Sequence, residues 1–482
     1  MKKAIILLVL PFLAGPFLAA QDSEGEIVLN LQEAVDYALK NNKSLMNARQ
    51  ELIKSDKSVW EAISQGLPQV DGTLDYMTYF NYELAFSFGG NEDFEFTPEQ
   101  LNQAASQTIA AFPGITPQDL YVHSAGNFYD MTLQGMMPPS TILMSDQMTA
   151  KIQVAQLVFS GQYIVGIQTA KLAKIISQQS LDNSEVDTKE AVINAYYLVL
   201  ISESSLDMVD KNLRNLKIIR DQTAKMFEAG MAESIDLDQF QVTVNQLENT
   251  KRSMERNLEM TYNMLRFTLG IKAGTPLKLT DDLNSLFEEM EAADVLLQDF
   301  NKEDNITYQI LNSQAEINKK LWGMEKWNYG PSLAAFYNYN LKLRTTGFDM
   351  TPNHLAGFSF SLPIFSSGMR AAKTTQARID YEISERNAEI LGDQLELQDD
   401  QLKFNLQSSL DNYFTQKENV DVAQRVLDSY QLKYKQGMAS SLDVTQANSN
   451  YLDAQSSYLN AVFEVMNAQI SLEKLMNNLS TL

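Results

Sequence analysis

Apolar positions along this chain recur in two periods, and the switches between them mark its parts. From Leu31 to about Gln65 the spacing is helical, with Leu31, Ala34, Val35, Ala38, Leu39, Leu45, Ala48 and Leu52 on one face. Gly66-Leu67-Pro68 ends that helix. From Gln69 to Tyr82 the period drops to two, with Val70, Leu74 and Tyr76 on one parity and Thr73 and Asp75 on the other, which predicts a strand. Residues 83–146 hold Gly, Pro, Asn and Phe clusters without a sustained period, and read as a long loop with one short helix over 98–111. Alternation returns from Met148 to Phe159, so the two strands form a hairpin with a very large loop. Gln162 to Ala229 is then helical for 68 residues without a proline, roughly 100 Å at 1.5 Å per residue. The return helix, 233–269, carries Leu237, Phe240, Val244, Leu247, Met254, Leu258 and Leu265 in the alternating three-and-four spacing of a coiled-coil seam.

The same order then repeats. A helix over about 304–327 ends at Gly330-Pro331, a strand over 332–344 meets a short turn at Thr345–Pro352, and a strand over 354–365 returns. A second proline-free helix runs 68 residues from Met369 to Gln436, and Ser440 to Leu475 closes the chain. The turns between the long helices are near copies: Phe227-Glu228-Ala229-Gly230-Met231-Ala232-Glu233-Ser234-Ile235-Asp236 against Tyr434-Lys435-Gln436-Gly437-Met438-Ala439-Ser440-Ser441-Leu442-Asp443, 207 positions on. Each breaks a helix at a glycine and restarts it at a serine, so Ser234 and Ser441 are expected as N-caps. Asn42-Lys43-Ser44-Leu45 also aligns with Asn305-Ile306-Thr307-Tyr308, 263 on; the two offsets differ by 56, the surplus carried by the large loop. The chain is thus a tandem repeat. Residues 21–270 form the first repeat (helix, hairpin with large loop 83–146, long helical hairpin), 271–290 a linker and 291–482 the second repeat. Helices 31–65 and 233–269 together come close to the 68 residues between them, so two shorter helices stacked end to end are expected to flank one long helix.

Composition narrows the setting. Lys2, Lys3, an apolar run from Ala4 to Leu18 and Ala19-Ala20 read as a signal peptide over 1–20. The 482 residues include no cysteine, so neither a disulfide nor a lipid-bearing thiol is available. Beyond residue 20 no apolar stretch approaches the ~20 residues of a spanning helix, so a membrane-embedded form has to be a β-barrel. The formal charge of −23 becomes −25 without the two leader lysines, which speaks against nucleic acid as a partner. Two histidines, His123 and His354, stand in no ligand spacing, and no phosphate loop or nucleophile elbow occurs. No catalytic residue, cofactor or metal is expected. Four strands cannot close a barrel, whereas two chains supply eight and three supply twelve; left open, the sheet edges invite pairing. On periodicity alone the alternative is a soluble helical rod with a small sheet cap.

Several segments in order carry a family resemblance: Leu29 through Asn42, Leu67-Pro68-Gln69-Val70, Leu362-Pro363-Ile364-Phe365 with Gly368, and Tyr434 through Gln446 followed by Asn450-Tyr451-Leu452-Asp453-Ala454-Gln455. Together they resemble the outer membrane efflux protein family of TolC-like channels over nearly the whole mature chain. The resemblance implies a mainly α fold with a β-barrel portion: two β-hairpins and very long coiled-coil helices per chain, three chains forming a 12-strand β-barrel in outer-membrane lipid on an α-helical barrel across the periplasm. It implies a homotrimer that passively accepts cargo from an inner-membrane transporter through a periplasmic adaptor (membrane fusion protein) and exports it. The turns Gly230-Met231-Ala232 and Gly437-Met438-Ala439 then lie at the periplasmic tip where adaptors dock. Asp443 matches an acidic ring at the pore constriction, and Gln446 stands where some members have a second acid. Tyr434 and Asp236 match residues of a closed-state link, but Ala439 replaces its arginine. A plainer role for Asp236 and Asp443 is charge compensation in a first helical turn, ~0.3–1 kcal/mol. The competing function is a surface binding protein acting through loop 83–146.

Overall fold

The computed structural model describes residues 26–80, 82–86, 98, 140–144, 146–290, 292–345 and 351–479. The expected leader, and the expected helix over 98–111 apart from residue 98, lie outside them. The chain divides into two compact units, Trp60–Ile167 with Met324–Arg370, and Met1–Val59 with Gln168–Gly323 and Ala371–Leu482.

The first unit is a sheet. Strands β2 (Gln69–Met77), β5 (Gln147–Ser160), β7 (Ser332–Arg344) and β8 (His354–Ser361) pair antiparallel in the order β2-β5-β7-β8. The two hairpins expected from sequence are therefore joined into one sheet by the β5–β7 pairing, one hairpin coming from each repeat. Register sorts the side chains by face, because antiparallel partners share one. Val70↔Val154↔Tyr337↔Ala356 and Gly72↔Ile152↔Tyr339↔His354 belong to an apolar face, which Leu74, Leu341, Phe358 and Phe360 extend. Asp71↔Gln153↔Asn338 and Thr73↔Lys151↔Asn340 belong to a polar one. The apolar face is bare, with Val70, Leu74, Tyr76, Ile152, Phe358 and Phe360 all exposed. Among the described residues β2 and β8 have no strand on their outer edges. The 83–146 segment is not loop throughout: β3 (Tyr82–Phe86) and β4 (Ser140–Met144) pair antiparallel at its two ends. Each is only five residues long, too short for a period count to single out.

The second unit is helical. Its long members are α3 (Gly161–Glu228), α4 (Ser234–Leu269), α8 (Met369–Lys435) and α9 (Ser441–Leu475), at 68, 36, 67 and 35 residues. The expected single helix over 31–65 is two, α1 (Leu31–Asn41) and α2 (Lys43–Ser64). The break is Asn42, held extended at φ −63°, ψ 125°. Its side-chain oxygen accepts from the backbone of Ser44 and Leu45, capping α2, while its amide donates to the Thr268 carbonyl at the end of α4 over 2.8 Å. Asn305 repeats this before α7 (Ile306–Trp327): it accepts from Thr307 and Tyr308 and donates 3.0 Å to the Leu475 carbonyl at the end of α9. One asparagine thus satisfies orphan donors of one helix and an orphan acceptor of another. The first joint is the end-to-end stacking expected from helix lengths, and the second repeats it. At the first, Gly270 takes φ 78°, and a Cβ there would stand 2.5 Å from the Asn41 carbonyl oxygen.

The 271–290 linker also packs. Its strand β6 (Leu277–Leu279) runs parallel to β1 (Ile27–Leu29), and α5 (Leu283–Glu289) and α6 (Ala292–Leu296) follow. Leu277, Leu279, Leu283 and Val295 join a core built on Tyr196, Leu265, Leu406 and Met466. Asp281 fixes the turn by accepting from the Leu31 amide at 2.7 Å and the Tyr196 hydroxyl at 2.9 Å. A separate core, with Val209, Leu216, Phe240, Val244, Tyr434 and Val444, holds the helices together where they turn.

Candidate functional site: the paired helical turns

Both turns use the same backbone device. After α3, Gly230 at φ 74° donates to the Phe227 carbonyl (2.9 Å) and Met231 to Met226 (2.8 Å). After α8, Gly437 at φ 73° donates to Tyr434 (2.9 Å) and Met438 to Lys433 (2.8 Å). These are paired Schellman bonds, which require the left-handed conformation that glycine adopts without strain. Met231 and Met438 project into solvent, 69% and 66% exposed. The restart lies one residue earlier than the sequence suggested. The N-caps are Glu233 and Ser440, both extended, and Ser234 and Ser441 are the first helical residues. The serine at the repeat-matched position was a misleading signal, because the preceding residue differs between the copies.

The two acids therefore do different work. Asp443 closes a capping box, accepting from the Ser440 amide (2.9 Å) and hydroxyl (2.7 Å), while its own amide donates to the Ser440 oxygen. The bonds from the Ser440 backbone and then from its hydroxyl hold the Asp443 carboxyl below its ordinary pKa. It stays exposed and ionised. Asp236 accepts from the Glu233 amide (3.3 Å) and reaches into the other turn, taking a 2.6 Å bond from the Ser441 hydroxyl. Ser441 is 2% exposed, and the Gln239 amide lies against the same oxygen. A hydroxyl has one proton to give, so the Asp236 carboxylate and the Gln239 side-chain oxygen are alternative acceptors for it.

Tyr434 completes the link between repeats. It is buried, stacks edge-on against Phe240 of α4 at 5.4 Å between centroids, and its hydroxyl bonds Thr223 of α3 at 2.9 Å. Burial, chiefly, raises the Tyr434 pKa, with the Asp236 charge adding to it. Of the residues singled out from sequence, Tyr434 and Asp236 join the turns and Asp443 caps. Gln446 is exposed and bonds Asn450 one turn on, at 2.9 Å. Ala439 packs against the core at the turns. Ser441, Thr223 and Phe240 were missed as linking residues. Phe240 read only as seam, and the Ser440-Ser441 doublet, against Glu233-Ser234, was the available signal for Ser441. A buried Asn212–Asn448 bond (2.8 Å) ties α3 to α9 nearby, and Lys217–Glu248 and Lys251–Asp210 pairs tie α3 to α4. A cavity of about 260 Å³ opens between α4 and α9, with Thr243, Gln246, Gln446 and Asn448 in its wall. Leu247 and Leu452 also line it, and among the described residues no cluster of His, Asp or Glu is arranged to hold a metal. No described helix is long and apolar enough to cross a membrane.

Comparison with known proteins agrees with the resemblance read from sequence. Residues 326–478 match the family model of the outer membrane efflux proteins. The outer membrane protein TolC of Vibrio cholerae is 20% identical over 394 residues, covering 79% of this chain and 88% of that one. Among solved structures, CusC superposes with a TM-score of 0.68 at 14% identity, over 94% of this chain and 92% of its own. The CmeC outer membrane channel of Campylobacter jejuni gives 0.65 at 14% identity, over 99% and 94%. Over residues 326–478 the sequence is thus similar to the outer membrane efflux proteins, and over nearly the whole chain the fold is that of solved outer membrane channels.

Proposed function

We propose that the protein is a passive export duct, a homotrimer whose three four-stranded sheets close into a twelve-stranded barrel and whose helices form the periplasmic passage. The observation that carries this reading is the sheet. It has one bare apolar face, one polar face and, among the described residues, two open edges. A face of that composition is stable against lipid, the polar face suits a water-filled lumen, and closure with further copies removes the edges. The turns at Gly230, Met231, Ala232 and at Gly437, Met438, Ala439 are the adaptor-docking end, where two exposed methionines offer adaptable apolar contacts. Cargo arrives there from an inner-membrane transporter. Three copies of the ionised Asp443 favour cations at the constriction, and the Ser441–Asp236 and Tyr434–Thr223 contacts hold the turns until an iris-like shift opens them. The duct performs no chemistry of its own.

The test is export from cells by the chain lacking residues 86–143. A duct exports with the loop removed. Retained export with loss of a surface ligand would add a receptor role, whereas loss of export from a correctly inserted oligomer would make the loop the working part.

A further inference from the structure

The cavity between α4 and α9 has one wall residue whose hydrogen bonding is unfinished. Asn448 is 3% exposed and stands in that wall. Its side-chain oxygen accepts from Asn212 of α3 at 2.8 Å, and among the described residues its amide nitrogen takes no partner. Asn212 is 5% exposed, and its own side-chain oxygen is buried without a partner. Turning both amides over exchanges the roles and leaves the pair equally incomplete. Buried polar groups are seldom left so. The pair is also one-sided. The repeat copies of Asn212 and Asn448 are Asn419 and Gln241, 207 positions away. Asn419 is exposed and donates to Gln416 (3.1 Å), and Gln241 donates to Asn245 (2.9 Å), each along its own helix. The duplicated helices therefore do not demand a buried amide pair as such.

The rest of the wall defines what would complete it. Among the described residues no ionised side chain lines the cavity, so a charged occupant would lose hydration with no counter-ion to replace it. Thr243 and Thr445 donate their hydroxyl protons to the Gln239 and Leu442 carbonyls (2.9 and 3.0 Å) and keep lone pairs for accepting. Gln446 donates to Asn450 and keeps its carbonyl oxygen. Leu247 and Leu452 add a small apolar patch. The matching occupant has donors and acceptors together, no net charge and a short apolar part. At about 260 Å³ the cavity lies just below the ~300 Å³ at which drug-sized ligand pockets begin, so the occupant is small.

The place gives such a ligand a consequence. The helices α4 and α9 belong to different repeats, and the Asp236–Ser441 bond ties their first turns. Leu247 and Leu452 pack with the core that holds the turns together. We infer that the cavity binds a small uncharged ligand bearing an amide or neighbouring hydroxyls, and that the ligand bridges α4 to α9 and holds the turns closed. The holding of the turns rests on the duct reading; the binding does not.

Saturation-transfer NMR on the full-length, solubilised protein tests the binding. The probe is N-acetylglucosamine, which carries an acetamide and hydroxyls without charge. Glucosamine, with an ammonium in place of the amide, and glucuronate, with a carboxylate, are the comparators. The expected result is saturable binding of the neutral sugar alone. Asn448→Leu should weaken it about tenfold and Thr243→Val about threefold, the scale of one lost hydrogen bond. No saturable binding, equal binding of the charged sugars, or an affinity unchanged in both variants each overturns the site. Conductance in a planar bilayer tests the bridge: saturating N-acetylglucosamine should lower the open fraction of the wild type and leave Asn448→Leu unaffected. An unchanged open fraction at a concentration that fills the site overturns the bridge and leaves the site standing. Protein that binds the sugar yet conducts nothing with or without it overturns the duct reading and the bridge together.

Discussion

The two turns share their glycine, methionine, alanine and aspartate, and the same Schellman bonds, yet their aspartates diverge. Asp443 is satisfied inside its own cap, whereas Asp236 gives part of its hydrogen bonding to Ser441 of the other repeat. Ser440 gives both its amide and its hydroxyl to one oxygen of Asp443, whereas Glu233 gives its amide to one oxygen of Asp236 and the other oxygen takes the Ser441 hydroxyl. A duplicated motif can thus keep its backbone and divide its chemistry: one copy presents a fixed charge and the other makes a contact.

The most severe way to break the comparison is to remove what packs the turns together. Phe240→Ala empties a fully buried site against Tyr434, for which a cost of about 3–5 kcal/mol is expected. Thermal unfolding of the solubilised protein should register it as the largest drop in Tm among these variants. The serines sharpen the contrast. Ser441→Ala strips Asp236 of a buried donor and should cost about 1.5–3 kcal/mol, as for hydrogen bonds to charged groups. Ser234→Ala, at an exposed position, should fall within about 0.5 kcal/mol of wild type. Equal effects of the two in the same melts would contradict the division of roles.

Backbone effects should be alike in the two turns. Gly230→Ala and Gly437→Ala each force a Cβ into the left-handed region, at about 1–2 kcal/mol, and neither Cβ would meet a neighbour within 4 Å. A marked difference between them would show that the turns are not equivalent supports. The smallest effect concerns pH. Because the folded pKa of Asp443 is depressed, its cap contributes fully above the ordinary value of 3.8 and is lost as pH falls through the lower folded value. Ser440→Ala should move the Asp443 titration, followed by carboxyl-carbon NMR, back toward 3.8.

The large elements were legible because they obey single periods. The helices of 68 and 67 residues and the strand over 332–344 lie where apolar spacing put them, within a residue or two. Asn42 defeated that reading, since apolar spacing runs on through a residue whose side chain bonds two other helices. The linker strand β6 was lost for a related reason: three residues have no period, and only the distant partner Ile27–Leu29 makes them a strand. At the turns the glycines were visible through their backbone requirement. The Ser441–Asp236 bond spans 205 positions and was not, because no local rule pairs them.

The most direct test of the duct is ionic conductance of the purified, assembled protein in a planar bilayer, wild type beside Asp443→Ala. The account predicts discrete, cation-selective steps whose selectivity falls in the variant. Assembled protein that inserts and conducts nothing would contradict it, and unaltered selectivity in the variant would move the constriction away from Asp443.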